Sequence, residues 1–251
     1  MLDRHQHGDI LELRLARPPV NALNPDLIAA LHAAVLAAPG DGARALVISS
    51  HPGLFSAGLD VPALLKLDRA GMIDLWRSFS GLLGAIACSP IPTVAAITGH
   101  SPAGGTVVAL NCDYRVMAEG PFKLGLNETQ VGLALPRTIF ASLARLLGPH
   151  RAERHVVAGN MIEAAEALRI GLVDELAAPD QVVFRALDWC RFHLALPQRA
   201  MRLNRETARA DLRALYQTED PALVEEFVDG WFHPETQVVL QSLVARLKGK
   251  G

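Results

Sequence analysis

The sequence predicts an α/β protein with a helical C-terminal part. Three observations carry that reading. Along the front of the chain, short apolar or alternating strands are each followed by a turn and an amphipathic helix. From Glu163 the strands thin out, and 181–194, 198–215 and 221–248 read as mostly helix. Between these regions, 78–112 holds no Asp, Glu, Lys or Arg, which is the composition of a buried centre. Pro90, Pro92 and Pro102 break that stretch too often for a membrane span.

Ile10–Leu15 (I-L-E-L-R-L) alternates apolar and charged residues, as a half-buried strand does. A turn at 17–23 leads into Pro25–Ala37, where the apolar spacing is helical. The run 45–49 is a fully buried strand, and Asp60 caps a helix beginning near Pro62. An amphipathic helix over 72–88 is followed by a strand over 91–97. Strands are expected at 113–118 and 122–126. A helix over 163–169 stops at Gly171, and 172–176 is a short edge strand.

The 251 residues are half hydrophobic and one-fifth charged, ample for a sizeable core and unlike a disordered chain. A net charge of −2 and the absence of a long basic run argue against a nucleic-acid partner. Cys88, Cys112 and Cys190 are few, odd in number and widely spaced, so no metal cluster is expected and a reduced, cytoplasmic setting is. The N-terminal M-L-D-R-H-Q-H-G-D has no apolar run and does not read as a signal peptide.

Two glycine turns carry the chemistry. In 99–113 (G-H-S-P-A-G-G-T-V-V-A-L-N-C-D), Ser101 is placed as a helix N-cap and Pro102 at the first helical position. Val107, Val108 and Leu110 supply the buried stripe. The first N–H groups of that helix lack internal partners, and Gly104 and Gly105 leave the backbone bare to an approaching oxygen. The same pair would serve tight helix packing equally well. In 55–60 (F-S-A-G-L-D) a second glycine turn lies between a buried strand and a helix. Two such turns could aim two N–H groups at one carbonyl oxygen.

F-S-A-G-L-D, S-P-A-G-G-x-x-x-A-L-x-C-D-Y-R and G-L-N-E-T-Q, in this order, resemble the crotonase superfamily of enoyl-CoA hydratases and isomerases. The run 125–130 is most similar to the mitochondrial-type Δ3,Δ2-enoyl-CoA isomerases. R-P-P-V-N-A-L and A-E-A-L-R-I-G-L-V-D-E fit as well, so the resemblance spans about 10–177. It implies a ββα spiral making two roughly perpendicular sheets. A core over 1–194 would be followed by a helical trimerisation part over 195–251, in a homotrimer or a dimer of trimers. It implies an acyl-CoA thioester as partner, no membrane and no separate cofactor, since CoA enters as part of the substrate.

By resemblance, the N–H groups of Leu59 and Gly104 hold the thioester oxygen, leaving the Leu59 side chain free to line the acyl channel. Glu128 falls at the catalytic glutamate of the family. Its apolar neighbours Leu124, Leu126, Val131, Leu133 and Leu135 would raise its pKa. Read from the residues alone, it is more readily a surface or turn-capping glutamate, since N-E-T-Q could open a turn; the resemblance reverses that reading. Ala57, Gly58, Asp60, Val61 and Asn127 would border the substrate, with Asp60 as a cap and Asn127 also readable as a turn residue.

Hydratases carry a second glutamate three residues after the oxyanion glycine, and here that place is Val107. Valine can neither position nor deprotonate water, so one carboxylate plus an oxyanion hole reads as an isomerase. A hydratase using a carboxylate from elsewhere and a catalytically idle acyl-CoA binder are the alternatives. His100 is read as a loop histidine. Arg17 and Lys248 are candidate phosphate partners, and Thr106 is given no role.

Overall fold

A computed structural model describes residues 1–217 and 221–248, the side chains of 247 and 248 excepted. The front half runs β1 (Leu2–His7), β2 (Ile10–Leu15), α1 (Pro25–Ala37), β3 (Ala45–Ser50), β4 (Gly53–Leu54), α2 (Val61–Leu64), α3 (Arg69–Ala87), β5 (Thr93–Ile97), β6 (Gly99–Pro102) and α4 (Gly104–Leu110). Then come β7 (Tyr114–Ala118), β8 (Lys123–Gly125), a 3-10 turn (Glu128–Val131), α5 (Arg137–Leu147), α6 (Pro149–Ala158), β9 (Ile162–Glu163), α7 (Ala164–Ile170) and β10 (Glu175–Ala177). The chain closes with α8 (Val182–Ala195), α9 (Gln198–Ala208), α10 (Ala210–Gln217), α11 (Pro221–Phe232) and α12 (Pro234–Lys248).

Two sheets organise these elements. The larger has strand order β1-β2-β3-β5-β7-β10 and is parallel except for the β1–β2 hairpin. The smaller has order β4-β6-β8-β9. Each central strand of the large sheet hands the chain to a short strand of the small one and then to a helical segment: β3 to β4 and α2, β5 to β6 and α4, β7 to β8 and the 3-10 turn. This is the expected ββα spiral. Both faces of the large sheet are covered, as a parallel sheet requires. One face packs against a core that includes α1, α3 and α4; the other receives Val182, Ala186, Leu187 and Cys190 of α8.

Several local expectations change. L-D-R-H-Q-H has no apolar run to predict β1; an edge strand needs only main-chain pairing, and none of its residues is buried. β2 is not half-buried. Glu12 is completely buried, accepting from Ser49 Oγ (2.6 Å) and Arg14 Nε (3.0 Å) and meeting His7 Nε2 (2.8 Å). Burial alone would raise its pKa, but those partners together hold it below the ordinary value.

Ser101 is not an N-cap and Pro102 is not the first helical residue. Both belong to β6, paired with Leu124 and Gly125 of β8, so the helix starts at Gly104 behind Ala103 at φ 46°. The edge strand near 172–176 is β10, displaced to Glu175–Ala177. The pair α5 and α6, joined through Gly148 at φ 76°, occupies a stretch for which no element was expected. Helix 198–215 is two helices broken at Arg209, and 221–248 is two helices with Pro234 opening the second.

The C-terminal helices fold back on this chain's own core, α10 and α11 against α3 and α12 against α2 and the 3-10 turn. Asp113 is the hinge pin of that join. Arg205 grips both its oxygens at 2.8 Å, and Arg209 adds a contact at 3.1 Å while donating to the Asn111 and Cys112 carbonyls at the end of α4. Cations on those carbonyls answer the negative end of the helix. No helix among the described residues is long and apolar enough to cross a membrane.

Candidate active site

The first glycine turn is set from inside. Ser56, fully buried, donates to the Asn21 carbonyl at 2.7 Å and accepts the Gly58 N–H at 3.1 Å. Leu23 N–H binds the Gly58 carbonyl at 2.7 Å and Asp60 N–H the Leu23 carbonyl at 3.1 Å. This one-residue bridge holds Leu59 in extended alignment. Gly58 adopts φ 82°, and a Cβ there would meet the Ala103 Cβ at 3.0 Å and the Gly104 nitrogen at 3.2 Å. A side chain is therefore excluded by conformation and by space.

The second turn is held by Thr106. Its Oγ1 donates to the Ser101 carbonyl and accepts the Gly125 N–H at 2.9 Å, tying the first turn of α4 to β6 and β8. Ala103 donates to the Gly125 carbonyl at 2.8 Å. The N–H groups of Leu59 and Gly104 have no acceptor among the described residues, and a Cβ on Gly104 would lie 3.3 Å from the Leu59 nitrogen. The two donors are thus neighbours with their hydrogen-bonding capacity unspent, at the positive end of a helix.

Both donors line a cavity of about 520 Å³, together with Ala57, Asp60, Val61, Val107, Asn127 and Glu128. Of the expected site residues only Gly58 is missing from the wall; it stands behind Leu59 and shapes the turn. The deeper wall is apolar, built by Trp76 and Phe79 of α3, Leu133, Leu135 and Ile139, and Phe227 and Trp231 of α11.

Glu128 opens the 3-10 turn, and its Oε2 is buried with no hydrogen-bond partner. It is not a cap. Burial pushes the carboxyl up to about 7, opposed only by its own backbone N–H. The Asn127 Oδ1 beside it is also buried and unpartnered. Asp60, the other carboxyl on the wall, is spoken for: it accepts from Ala63 N–H at 3.1 Å and pairs with Arg17 at 2.7 Å. Arg17 donates as well to the Ala22 carbonyl at 3.0 Å, so it is engaged within the wall and is not a free phosphate partner. His100 lies outside the cavity, accepting the Lys123 N–H and set edge-on to Phe122. The Lys248 side chain lies outside the described residues.

Thr106, Ser56 and Asn21 escaped the sequence reading because their partners are main-chain atoms of distant segments. Phe227 and Trp231, four apart on one face of α11, were not singled out either, because their place in the wall depends on α11 packing against α3. No group of three or more His, Cys, Asp or Glu among the described residues could hold a metal ion.

Two unspent N–H groups beside an unpaired, desolvated carboxyl in an apolar cavity define a site that can polarise a carbonyl and move a proton next to it. Comparison with known proteins agrees with that class. Residues 5–232 match the enoyl-CoA hydratase/isomerase family, and the chain belongs to it. It is 33% identical over 239 residues to human mitochondrial enoyl-CoA delta isomerase 1, covering 94% of this chain and 79% of that protein. It is 35% identical over 217 residues to the probable enoyl-CoA hydratase EchA17 of Mycobacterium tuberculosis, covering 86% and 81%. The crystal structure of human mitochondrial delta3-delta2-enoyl-CoA isomerase superposes with a TM-score of 0.94 at 31% identity, covering 99% of this chain and 98% of that one. The fold is the crotonase fold, and the protein is an enzyme of this family.

Proposed function

We propose that this enzyme shifts the double bond of 3-enoyl-CoA to give trans-2-enoyl-CoA, as fatty-acid β-oxidation requires for unsaturated chains. The carrying observation is that Glu128 is the one unpaired carboxyl among the described residues lining the cavity, with buried Val107 where a second would stand in a hydratase.

The thioester oxygen accepts from Leu59 and Gly104. Glu128, as carboxylate, takes a proton from carbon 2, and the electron pair left behind becomes an enolate whose charge rests on that oxygen. Pre-aimed donors stabilise this charge by a few kcal/mol each. Glu128, now protonated, returns the proton to carbon 4: the electrons of the 3,4 double bond form the new carbon–hydrogen bond, those of the enolate's 1,2 double bond move to 2,3, and an oxygen lone pair reforms the carbonyl. A carboxyl near pH 7 is suited to both halves. Asn127 borders the reacting carbons, while Ala57, Asp60 and Val61 flank the acyl and CoA path. CoA arrives within the substrate and no further cofactor takes part. The homotrimer belongs to this reading too, with 195–251 as its trimerisation part.

Hydration is the second reading, supported by the likeness to EchA17. Turnover of 3-hexenoyl-CoA and of trans-2-hexenoyl-CoA by the wild type and by Glu128→Gln separates the two. The isomerase reading expects bond migration, poor hydration, and a loss of about 10²- to 10⁴-fold on substitution with acyl-CoA binding retained. Dominant hydration, or full activity in the glutamine variant, overturns it. Acyl-CoA binding without any turnover would mark an idle relative.

A further inference from the structure

Trp76 stands between two cavities. One is the site cavity; the other, of about 310 Å³, is bounded by Arg77, Ser80, Gly84, Leu215, Tyr216 and Leu223 among others. Trp76 and Pro136 are the two residues that line both. The indole is only 5% exposed. It stacks on Phe227 with ring centroids 3.6 Å apart and planes 15° off parallel, and tilts against Phe79 at 5.7 Å. Phe79 and Phe227 border the site cavity and not the second one.

We infer that Trp76 is the partition that limits acyl-chain length, and that the second cavity is a latent extension of the acyl channel. The inference rests on reading the site as an acyl-thioester site. An indole is wide and rigid, with two side-chain torsions, and here one face is covered by Phe227. Pro136, the other shared residue, has a ring that cannot swing aside. A chain growing along the apolar wall therefore meets aromatic carbon that packing holds in place, while open space lies on the far side. The terminal carbons of a chain that is too long must stay in water or strain the stack. In an apolar pocket each methylene accommodated or refused is worth roughly 10- to 200-fold.

The test is titration calorimetry with hexanoyl-CoA and dodecanoyl-CoA, saturated thioesters whose binding is read apart from turnover. Wild type should favour the shorter chain. Trp76→Ala, and the milder Trp76→Leu should the alanine variant fail to fold, should shift the ratio of dissociation constants at least about tenfold toward dodecanoyl-CoA. Adding Ser80→Phe to Trp76→Ala should restore the wild-type ratio. Ser80 is one turn along α3, lines the second cavity alone, and a side chain there leans back over the turn carrying residue 76. An unshifted ratio in a folded Trp76 variant, or equal binding of both chains by the wild type, overturns the inference. Turnover of 3-hexenoyl-CoA by the wild type reports separately on the proposed reaction; its absence with a shifted ratio would sink the reaction and leave the partition standing.

Discussion

Gly58 and Gly104 face one another so closely that a Cβ on Gly58 would sit 3.2 Å from the Gly104 nitrogen, and one on Gly104 would sit 3.4 Å from Gly58 Cα. The pair brings the Leu59 and Gly104 N–H groups side by side. Gly104→Ala is expected to lower kcat by about 10²- to 10³-fold, the usual cost of a lost oxyanion donor, because its methyl group lands between the two donors. Gly58→Ala adds strain at φ 82° and should lower the melting temperature as well. Steady-state kinetics paired with thermal melts checks both; a Gly104→Ala enzyme with wild-type kcat would remove Gly104 from the reaction.

In the proposed reaction Glu128 should make activity rise with pH. The carboxylate is the form that accepts the first proton, so kcat/KM should climb through about pH 7 and level off above it. Stability runs the other way. The folded-state pKa lies above the ordinary glutamate value of 4.5, so the native protein holds a proton that the unfolded chain releases, and stability falls between about pH 4.5 and 7. Glu128→Gln should therefore melt higher than wild type at pH 8 by up to about 3 kcal/mol of stability, and by little at pH 4.5. Melts at the two pH values decide this.

Val107 is 1% exposed and on the cavity wall. Val107→Glu places a second carboxyl where water could be held against carbon 3. The ratio of hydration to isomerisation should rise at least about tenfold, at the expense of stability from burying a polar group. Chromatographic separation of the 3-hydroxyacyl-CoA product measures it, and no rise would mean that more than this carboxyl separates the two reactions.

Arg205 holds both oxygens of Asp113 and donates to the Ser89 carbonyl at 2.6 Å. Burial would raise the Asp113 carboxyl, but Arg209 and Arg205 hold it below its ordinary value. Arg205→Ala leaves a buried carboxylate half-compensated and should cost about 3 kcal/mol, lowering the melting temperature by roughly 6–12 °C. Because the folded pKa is depressed, the wild-type advantage is present at neutral pH and fades as pH falls below about 4.

Thr106→Val keeps the shape and removes the link between Ser101 and Gly125. The Gly125 N–H would be left buried without an acceptor, at about 1–3 kcal/mol, and the first turn of α4 would lose its tether. Lower kcat at nearly unchanged KM is expected. An equal loss in Thr106→Ser, which retains the hydroxyl, would show that the methyl group and not the hydrogen bonds mattered.

What could be read along the chain is what local chemistry decides. Asn24 accepting the Leu27 N–H and Pro25 behind it start α1 where its apolar spacing begins, Asp60 caps α2, and Gly171 ends α7 in the left-handed conformation. The two glycine turns were legible from their immediate neighbours, whereas the roles given to Glu128 and Val107 came only from the order of the motifs and the resemblance they carry. Tertiary structure alone decided the rest. Ser101 and Pro102 are strand because Leu124 and Gly125 come alongside; Glu12 is buried because His7, Arg14 and Ser49 converge on it; Arg17 is withdrawn into the wall by Asp60. The far wall of the cavity is set by α11 packing on α3, more than a hundred residues away, where Phe227 meets Trp76. Hydrogen bonds and apolar contacts between distant segments leave no period in a sequence, and those contacts determine how deep the site is and what it can hold.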